Sequence, residues 1–357
     1  MLGVRDASSR RILNDRRGGF ARDAQMKMVA TLSICIPVYN FDVTALVASL
    51  GRQCRELLGV CEIICIDDGS QSSVVKRNRI VCEAAGRYIA LEKNVGRASI
   101  RNLFASLVQS DYLLFLDCDS VLLSERFVAR YLEAIAQGTG PVICGGRVYD
   151  PICPGRDRHL RWKYGICKES MPRSVRDRHP HRSFMTNNFA IRRNLFDMIR
   201  FDERLRQYGH EDTLFGFKLK QSGIAVSNIE NPILNGDVET NREFMRKTDE
   251  GVKSLVQVID YAGRAPELIE DIALARFYEK CRRMHAISLM DFTFSIVSPA
   301  LRTFLCTGYA PLVWFDLYKL GRYGKEQRAN GLRLKRDTAA GVRMQKTGVV
   351  EDRREYT

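Results

Sequence analysis

Four short apolar runs, each closing on turn residues, recur between residues 31 and 120: TLSICIPVYN, EIICIDDGS, RYIALEKN and DYLLFLDCDS. Runs this short and this continuously apolar read as strands buried on both faces, which requires a parallel sheet covered by helices on each side. The intervening segments supply those helices. In GRASIRNLFASLVQS, Ile100, Leu103, Phe104, Leu107 and Val108 fall on one helical face. SERFVARYLEAIAQG runs from Ser124, a capping residue, to Gly138, a terminating one. Alternating strands and helices predict an α/β sheet with right-handed crossovers.

In such a sheet, ligands bind beyond the carboxyl ends of the strands. Here those ends carry Tyr39–Asn40, Asp67–Asp68 and Asp117–Asp119, so three polar clusters distant in sequence converge on one edge. Asp117 and Asp119 alternate along an extended chain and point to the same side. Two carboxylates closing a buried strand are costly without a partner, and a cation is the simplest single partner for both. A solvated turn is the bland alternative, since Asp and Ser are ordinary turn residues. The convergence of three clusters favours a ligand site.

Composition narrows the function classes. The chain has 357 residues, 45% hydrophobic and 27% charged, enough for one large globular domain or two smaller ones. A net charge of +14 raises the question of nucleic acid. The basic residues gather in the N-terminal tail, in Arg156 to Arg182 and after Leu320, with no zinc-finger, helix-turn-helix or RNP signature, so no nucleic-acid partner is expected. Eleven cysteines, scattered mostly through apolar strands without a CxxC pair, read as reduced, buried small hydrophobes and not as a zinc site. The first thirty residues are Arg-rich and polar without an apolar signal core, and the expected location is cytoplasmic.

SICIPVYN, EIICIDDGS, EKNVGRASIRN and DYLLFLDCDS, followed in order by RWKYG, SFMTNNFAIRR and YGHEDTLFGFKL, together resemble the family 2 glycosyltransferases. The resemblance spans Leu32 to Val258 and implies the GT-A fold, a Rossmann-like, mostly parallel sheet flanked by helices. It implies an inverting enzyme that moves a sugar from a nucleotide-sugar donor, UDP-linked by first expectation, to a glycan or lipid-linked acceptor. Synthesis of a cell-surface polysaccharide or glycan is the expected setting. A nucleotidyltransferase would share the sheet and the metal, but it would want a Gly-rich basic triphosphate loop where CIPVYNFD stands.

The same resemblance distributes roles. Asp119 would ligate a divalent cation directly, while Asp117 would reach the ribose or the cation through water. The cation would be Mn²⁺ or Mg²⁺, hard ions that prefer oxygen and bridge diphosphates. Asp68 would read the base, with Pro37 and Tyr39 as its wall, and Arg101 in preference to Arg97 would face the nucleotide. Asp212 would be the general base and Glu211 would hold acceptor hydroxyls. Acidic residues in a helix's first turn are also ordinary dipole partners. Trp162, Asn187 and Asn188 would line the acceptor side, although Trp162 also suits a core and either Asn a cap. A His usually stands where this chain has Asn235. Its replacement leaves the third metal ligand to Asn235, to Asp237 or to water, and raises the alternative of a catalytically weakened nucleotide-sugar-binding protein.

Four regions follow: a disordered basic tail over 1–30, a catalytic domain over 31–262, a helical and partly apolar extension over 263–327, and a disordered basic tail over 328–357. In the extension, Asp291, Arg302 and Asp316 interrupt the apolar stretch, leaving no uncharged window long enough to span a membrane. Two readings stay open for it. One is a helical layer packed on the catalytic domain. The other is a peripheral contact with the anionic inner face of the plasma membrane, made through Lys319, Arg322, Lys325 and Arg328.

Overall fold

The four apolar runs are parallel strands. β1 (Leu32–Val38), α1 (Thr44–Glu56), β2 (Cys61–Asp67), α2 (Ser72–Ala85), β3 (Arg87–Ala90), α3 (Arg97–Leu107) and β4 (Tyr112–Leu116) alternate as the sequence predicts. The computed structural model describes residues 30–57, 59–205 and 208–351, with side chains as far as residue 332. The chain continues through β5 (Ser120–Leu122), α4 (Phe127–Ala136), β6 (Val142–Cys144), β7 (Arg147–Val148), α5 (His159–Tyr164) and α6 (Arg173–Arg176). Next come β8 (Asn188–Arg192), α7 (Arg193–Ile199), α8 (Glu211–Gln221), β9 (Val226–Asn228) and β10 (Ile233–Asn235). Five helices close it: α9 (Asn241–Tyr261), α10 (Pro266–Asp271), α11 (Ala273–Arg283), α12 (Ile287–Cys306) and α13 (Leu312–Glu351).

The main sheet has the order β3-β2-β1-β4-β8-β6-β9, with β8 antiparallel to both neighbours. The strand order reverses between β1 and β4, which opens a crevice beyond their carboxyl ends. A small sheet, β5-β10-β7, stands at that same end. Side-chain alternation along the strands feeds two cores. Leu32, Ile34, Ile36 and Val38 pack with Val47, Leu50, Phe127 and Tyr131 of α1 and α4. Cys35, Ile64, Leu113 and Phe115 pack on the other face with Ile100, Phe104, Phe196 and Phe215.

The first helix of the sequence reading is α3, with Ile100, Phe104 and Val108 buried but Leu103 partly exposed. The second, α4, starts later than expected. Ser124 Oγ accepts the Arg126 N–H in a turn just before the helix, and Gly138, at φ 68°, closes the other end. The N-terminal tail lies outside the described residues, as do residues 352–357. The expected aperiodic tail after Arg328 is corrected: α13 runs on to Glu351. The segment lacks proline and is rich in Arg, Lys, Leu and Ala, and an already packed helix removes the nucleation cost of extending it. Leu214 and Phe217 of α8 share a core with Val252 and Leu255 of α9, Tyr278 of α11 and Tyr323 of α13, so the C-terminal helices pack on the catalytic domain through α8 and α9.

Phe115 holds the centre of the second core, stacked on Phe189 at 5.1 Å and edge-on to Phe104 at 5.9 Å. Phe115→Ala is expected to lower unfolding stability by ~3–5 kcal/mol, the usual cost of truncating a buried ring. Chemical denaturation of the variant against the parent measures it.

Candidate active site

The chain turns sharply after β4. The Asp117 N–H donates to the Asn187 carbonyl at 3.1 Å, and the Ser120 N–H to the Asp117 carbonyl at 3.1 Å. This turn holds the Asp117 carboxylate over the N-terminus of α3. Arg101 donates to it at 2.7 Å, and the guanidiniums of Arg147 and Arg97 lie 3.6 and 3.8 Å away. Burial alone would raise the Asp117 carboxyl, but these three cations outweigh burial and hold it below its ordinary range. Arg101 is 1% exposed, because α3 is covered on the side away from its apolar stripe too, by the end of β4 and by the Phe201 ring 5.7 Å from the guanidinium.

Asp119 has the opposite electrostatics. Burial and the charge of Asp117 raise its carboxyl, against Arg147 and Arg97. No ion pair or side-chain hydrogen bond engages it among the described residues. Antiparallel pairing of β10 with β5 sets Asn235 opposite Ser120 and brings it beside Asp119. Asn235 Nδ2 donates to the Asp237 carbonyl at 2.6 Å, which leaves its Oδ1 free. Asp237 itself is exposed, with Arg158 3.9 Å away. Among the described residues no three Asp, Glu, His or Cys side chains cluster as a metal site. An unengaged carboxylate beside a free amide oxygen nevertheless suits a hard divalent ion that takes its remaining ligands from a diphosphate and water.

The wall opposite is the start of α8. Glu211 accepts from Arg97 at 2.6 Å, and despite burial Arg97 and Arg101 hold it low. Asp212 has no such cation at short range. Burial, then the charge of Glu211, push it up to about 6, against the Thr213 N–H and hydroxyl, at 2.7 and 3.3 Å, and the charge of Arg97. Before them His210 adopts a left-handed φ of 65° and is kept neutral, its pKa lowered to about 4 by burial. Gly223, at φ 65°, terminates this helix as the sequence suggests.

Asp68 accepts the Val95 and Gly96 N–H groups at 2.7 and 3.1 Å, fastening the end of β2 to the start of α3. Only glycine fits the next position. Gly69 has φ 75°, and a Cβ there would meet the Asn94 nitrogen at 2.8 Å. Pro37, Tyr39, Asp68, Arg101, Asp117, Asp119, Asn187, Glu211, Asp212, Asn235 and Asp237 all line one cavity of about 630 Å³.

Two expected acceptor residues lie elsewhere. Trp162 does not line the cavity: its Nε1 donates to the Asp150 carbonyl at 2.7 Å and its ring rests against His159. Its neighbour Arg161 lines the cavity instead, held by Glu169 at 3.1 and 3.2 Å, because one residue along α5 turns the side chain by about 100°. Asn188 is a fold residue. It accepts from Tyr131 at 2.7 Å and donates to the carbonyls of Gly146 and Asn231 at 2.8 and 3.0 Å. Asn187 faces the cavity with a buried, unpartnered Nδ2.

Sequence reasoning gave no role to Arg147 or His210. His210 stood in view inside YGHEDT, where a non-glycine before an acidic first turn is a signal. Arg147 reaches the site only through the pairing of β7 with β10, which no local pattern announces.

Comparison with known proteins agrees with this fold. Residues 33–200 match the family described as Glycosyl transferase family 2. Over those residues the chain is similar to the family 2 glycosyltransferases. A chondroitin synthase from Escherichia coli is 25% identical over 285 residues, covering 69% of this chain and 41% of that protein, so the chain spans well under half of its relative's length. Among solved structures, the mannosyltransferase PcManGT from Pyrobaculum calidifontis, in complex with GDP-Man and Mn²⁺, is 15% identical with a TM-score of 0.53, covering 90% of this chain and 94% of that one. That likeness establishes the GT-A fold. The glycosyltransferase match ends before α8, so Glu211 and Asp212 take their standing from the cavity itself.

The two asparagines separate fold from site. Asn188→Ala strands a buried hydroxyl and two carbonyls and should cost ~2–4 kcal/mol in denaturant unfolding. Asn187→Ala loses no protein hydrogen bond of its side chain and should melt with the parent, yet bind substrate about threefold to tenfold more weakly.

Proposed function

We propose that this glycosyltransferase transfers a sugar from a nucleotide-sugar, a UDP-sugar in the first instance, to a hydroxyl of a glycan or lipid-linked acceptor in one inverting displacement. A cell-surface glycan made on the cytoplasmic side is the setting we infer. The observation that carries the reading is one cavity that sets a carboxylate raised to about 6, Asp212, across from the guanidiniums gathered at the end of β4. A diphosphate suits Arg97, Arg101 and Arg147, and the base suits the floor made by Pro37, Tyr39 and Asp68. Mn²⁺ or Mg²⁺ would be held by Asp119 and the Asn235 amide oxygen, with Asp117 behind them and Asp237 nearby, and would neutralise charge on the departing nucleoside diphosphate.

The chain's own groups do the rest. Asp212, ionised above about pH 6, takes the proton from the attacking acceptor hydroxyl. Glu211, fixed by Arg97, orients the acceptor, and Asn187 offers it the unpaired Nδ2. No protein nucleophile is needed, since one direct displacement inverts the sugar. The GDP-Man and Mn²⁺ bound to PcManGT support a nucleotide-sugar donor with a divalent ion, and the chondroitin synthase similarity supports a glycan acceptor. The nucleotidyltransferase alternative falls with the family match. Asn235, a neutral ligand, keeps one second reading: a domain that binds nucleotide-sugars and turns them over poorly.

Release of nucleoside diphosphate from a panel of UDP- and GDP-sugars with Mn²⁺, followed by linkage analysis of the product, tests the proposal. Metal-dependent binding without turnover favours the second reading, and neither binding nor turnover sinks both. Asp119→Ala is expected to remove the Mn²⁺-dependent part of UDP affinity in calorimetry while leaving the protein folded. The rate at limiting substrate should rise about tenfold per pH unit and level off above about pH 6, the protonated Asp212 being inactive. Asp212→Asn should keep UDP binding and lower turnover by ~10²–10⁴-fold. A loss under about tenfold would move the base elsewhere.

A further inference from the structure

Helix α12 is amphipathic in the wrong sense for a solvated protein. Its two charged groups turn inward: Asp291 is buried and pairs with Arg328 at 2.6 Å, and Arg302 pairs with Asp249 at 2.5 Å, while the exposed Thr293, Ser295 and Thr303 hydroxyls bond back to the helix's own carbonyls. Phe294 and Leu305 are buried on that same side. The outward side carries Leu289, Phe292 and Ile296, exposed by 68%, 65% and 64%, and continues through Val297, Ala300 and Phe304. At about 100° per residue these positions share one face, and no charged residue interrupts it. Val313, Trp314 and Leu317 at the start of α13 add to the exposed apolar surface, as does Tyr309 in the connecting turn.

We infer that this face lies on a lipid bilayer surface, with α12 in the plane of the interface. Length and composition alone would let Ile287–Cys306 cross a membrane. Crossing would break both ion pairs and strip the helix from α9 and α13, whereas lying flat buries the exposed side and leaves the packed side intact. Trp314 and Tyr309 are the residue types that settle at headgroup depth.

Charge points to an anionic surface, through cations other than those the sequence suggested. Lys319 pairs with Asp316 at 2.9 Å, Arg322 with Asp249 at 2.9 Å, and Arg328 with Asp291. Lys280, Arg283 and Lys325 are exposed and have no ion pair among the described residues. Arg283 immediately precedes exposed Met284 at the entry to α12, and Lys325 lies about three turns beyond Trp314 on α13. A second copy of the chain would answer these cations with more cations, since carboxylates of the region such as Asp316 and Glu279 are already engaged. Anionic headgroups answer them directly. The inference does not depend on the donor or acceptor assigned above, and its readout is binding.

The test is co-sedimentation of the full chain with phosphatidylcholine vesicles, with and without phosphatidylglycerol. The parent should bind the anionic vesicles. Phe292→Glu with Ile296→Glu should weaken binding at least tenfold while melting and binding UDP as the parent does. Ile80→Glu, an exposed apolar position on α2, should bind like the parent. Neutralising Lys280, Arg283 and Lys325 together should lose roughly fivefold per cation on anionic vesicles and leave binding to neutral ones unchanged. Absence of binding by the parent, or equal binding by the parent and the α12 variant, overturns the inference. So does a dimer in sedimentation velocity that the α12 variant abolishes while the parent ignores vesicles, since that outcome assigns the face to a second copy.

Discussion

Asp117 is a carboxylate at the end of a buried strand with guanidiniums at 2.7, 3.6 and 3.8 Å, and the site is arranged around it. Neither sign could be buried there alone. Arg101 is almost wholly enclosed, and removing its carboxylate would leave a bare cation, a loss on the order of 3–5 kcal/mol for a buried pair. Two elements are tied together by this one group. Arg97 and Arg101 come from α3 and Arg147 from β7, so the carboxyl end of β4 joins the main sheet to the small sheet that carries Asn235.

The same cations sort the carboxylates into two kinds. Asp117 and Glu211 face arginines and are held low, while Asp119 and Asp212 are one or two residues along and are raised. In each pair the ionised member adds to the rise of the other. Neighbouring acids pushed apart in this way take different tasks: one holds geometry as a permanent anion, the other waits for a proton or a cation. Asp212 also sits in the first turn of α8, where the helix dipole favours the anion, so burial is the influence that wins.

The features legible in the sequence were those in which local pattern and tertiary role coincide. β1 to β4 were legible because strands buried on both faces must be apolar throughout, and Asp68, Asp117 and Asp119 because strand ends in a parallel sheet share an edge. Gly223 was legible because a left-handed terminator needs no partner. Trp162 and Asn188 were misread where composition suggested a sugar-facing role but rotation about α5 and the pleat of β8 turned the side chains elsewhere. Periodicity marks the apolar stripe of α3 but is silent on what covers the other side, where Arg101 is enclosed. Arg147 depends on a pairing between segments far apart in the chain, and no local window contains it.

The C-terminal helices are part of the site's frame as well as its periphery. Phe244 of α9 stacks on Phe315 of α13 at 5.1 Å and lies 5.0 Å from the guanidinium of Arg161, which lines the cavity. The Ser254 hydroxyl, also on α9, donates to the Gly209 carbonyl just before the acidic turn that presents Glu211 and Asp212. Contacts therefore run from the outer helices through α9 both to Arg161 on the cavity wall and to the turn that carries Glu211 and Asp212. An anchoring strap would need none of this. A rigid layer does, because a surface that holds α12 then also fixes the direction in which the cavity opens. The charged residues of α12 are spent on that rigidity, Asp291 on α13 and Arg302 on α9, and for that reason its outward face carries no charge.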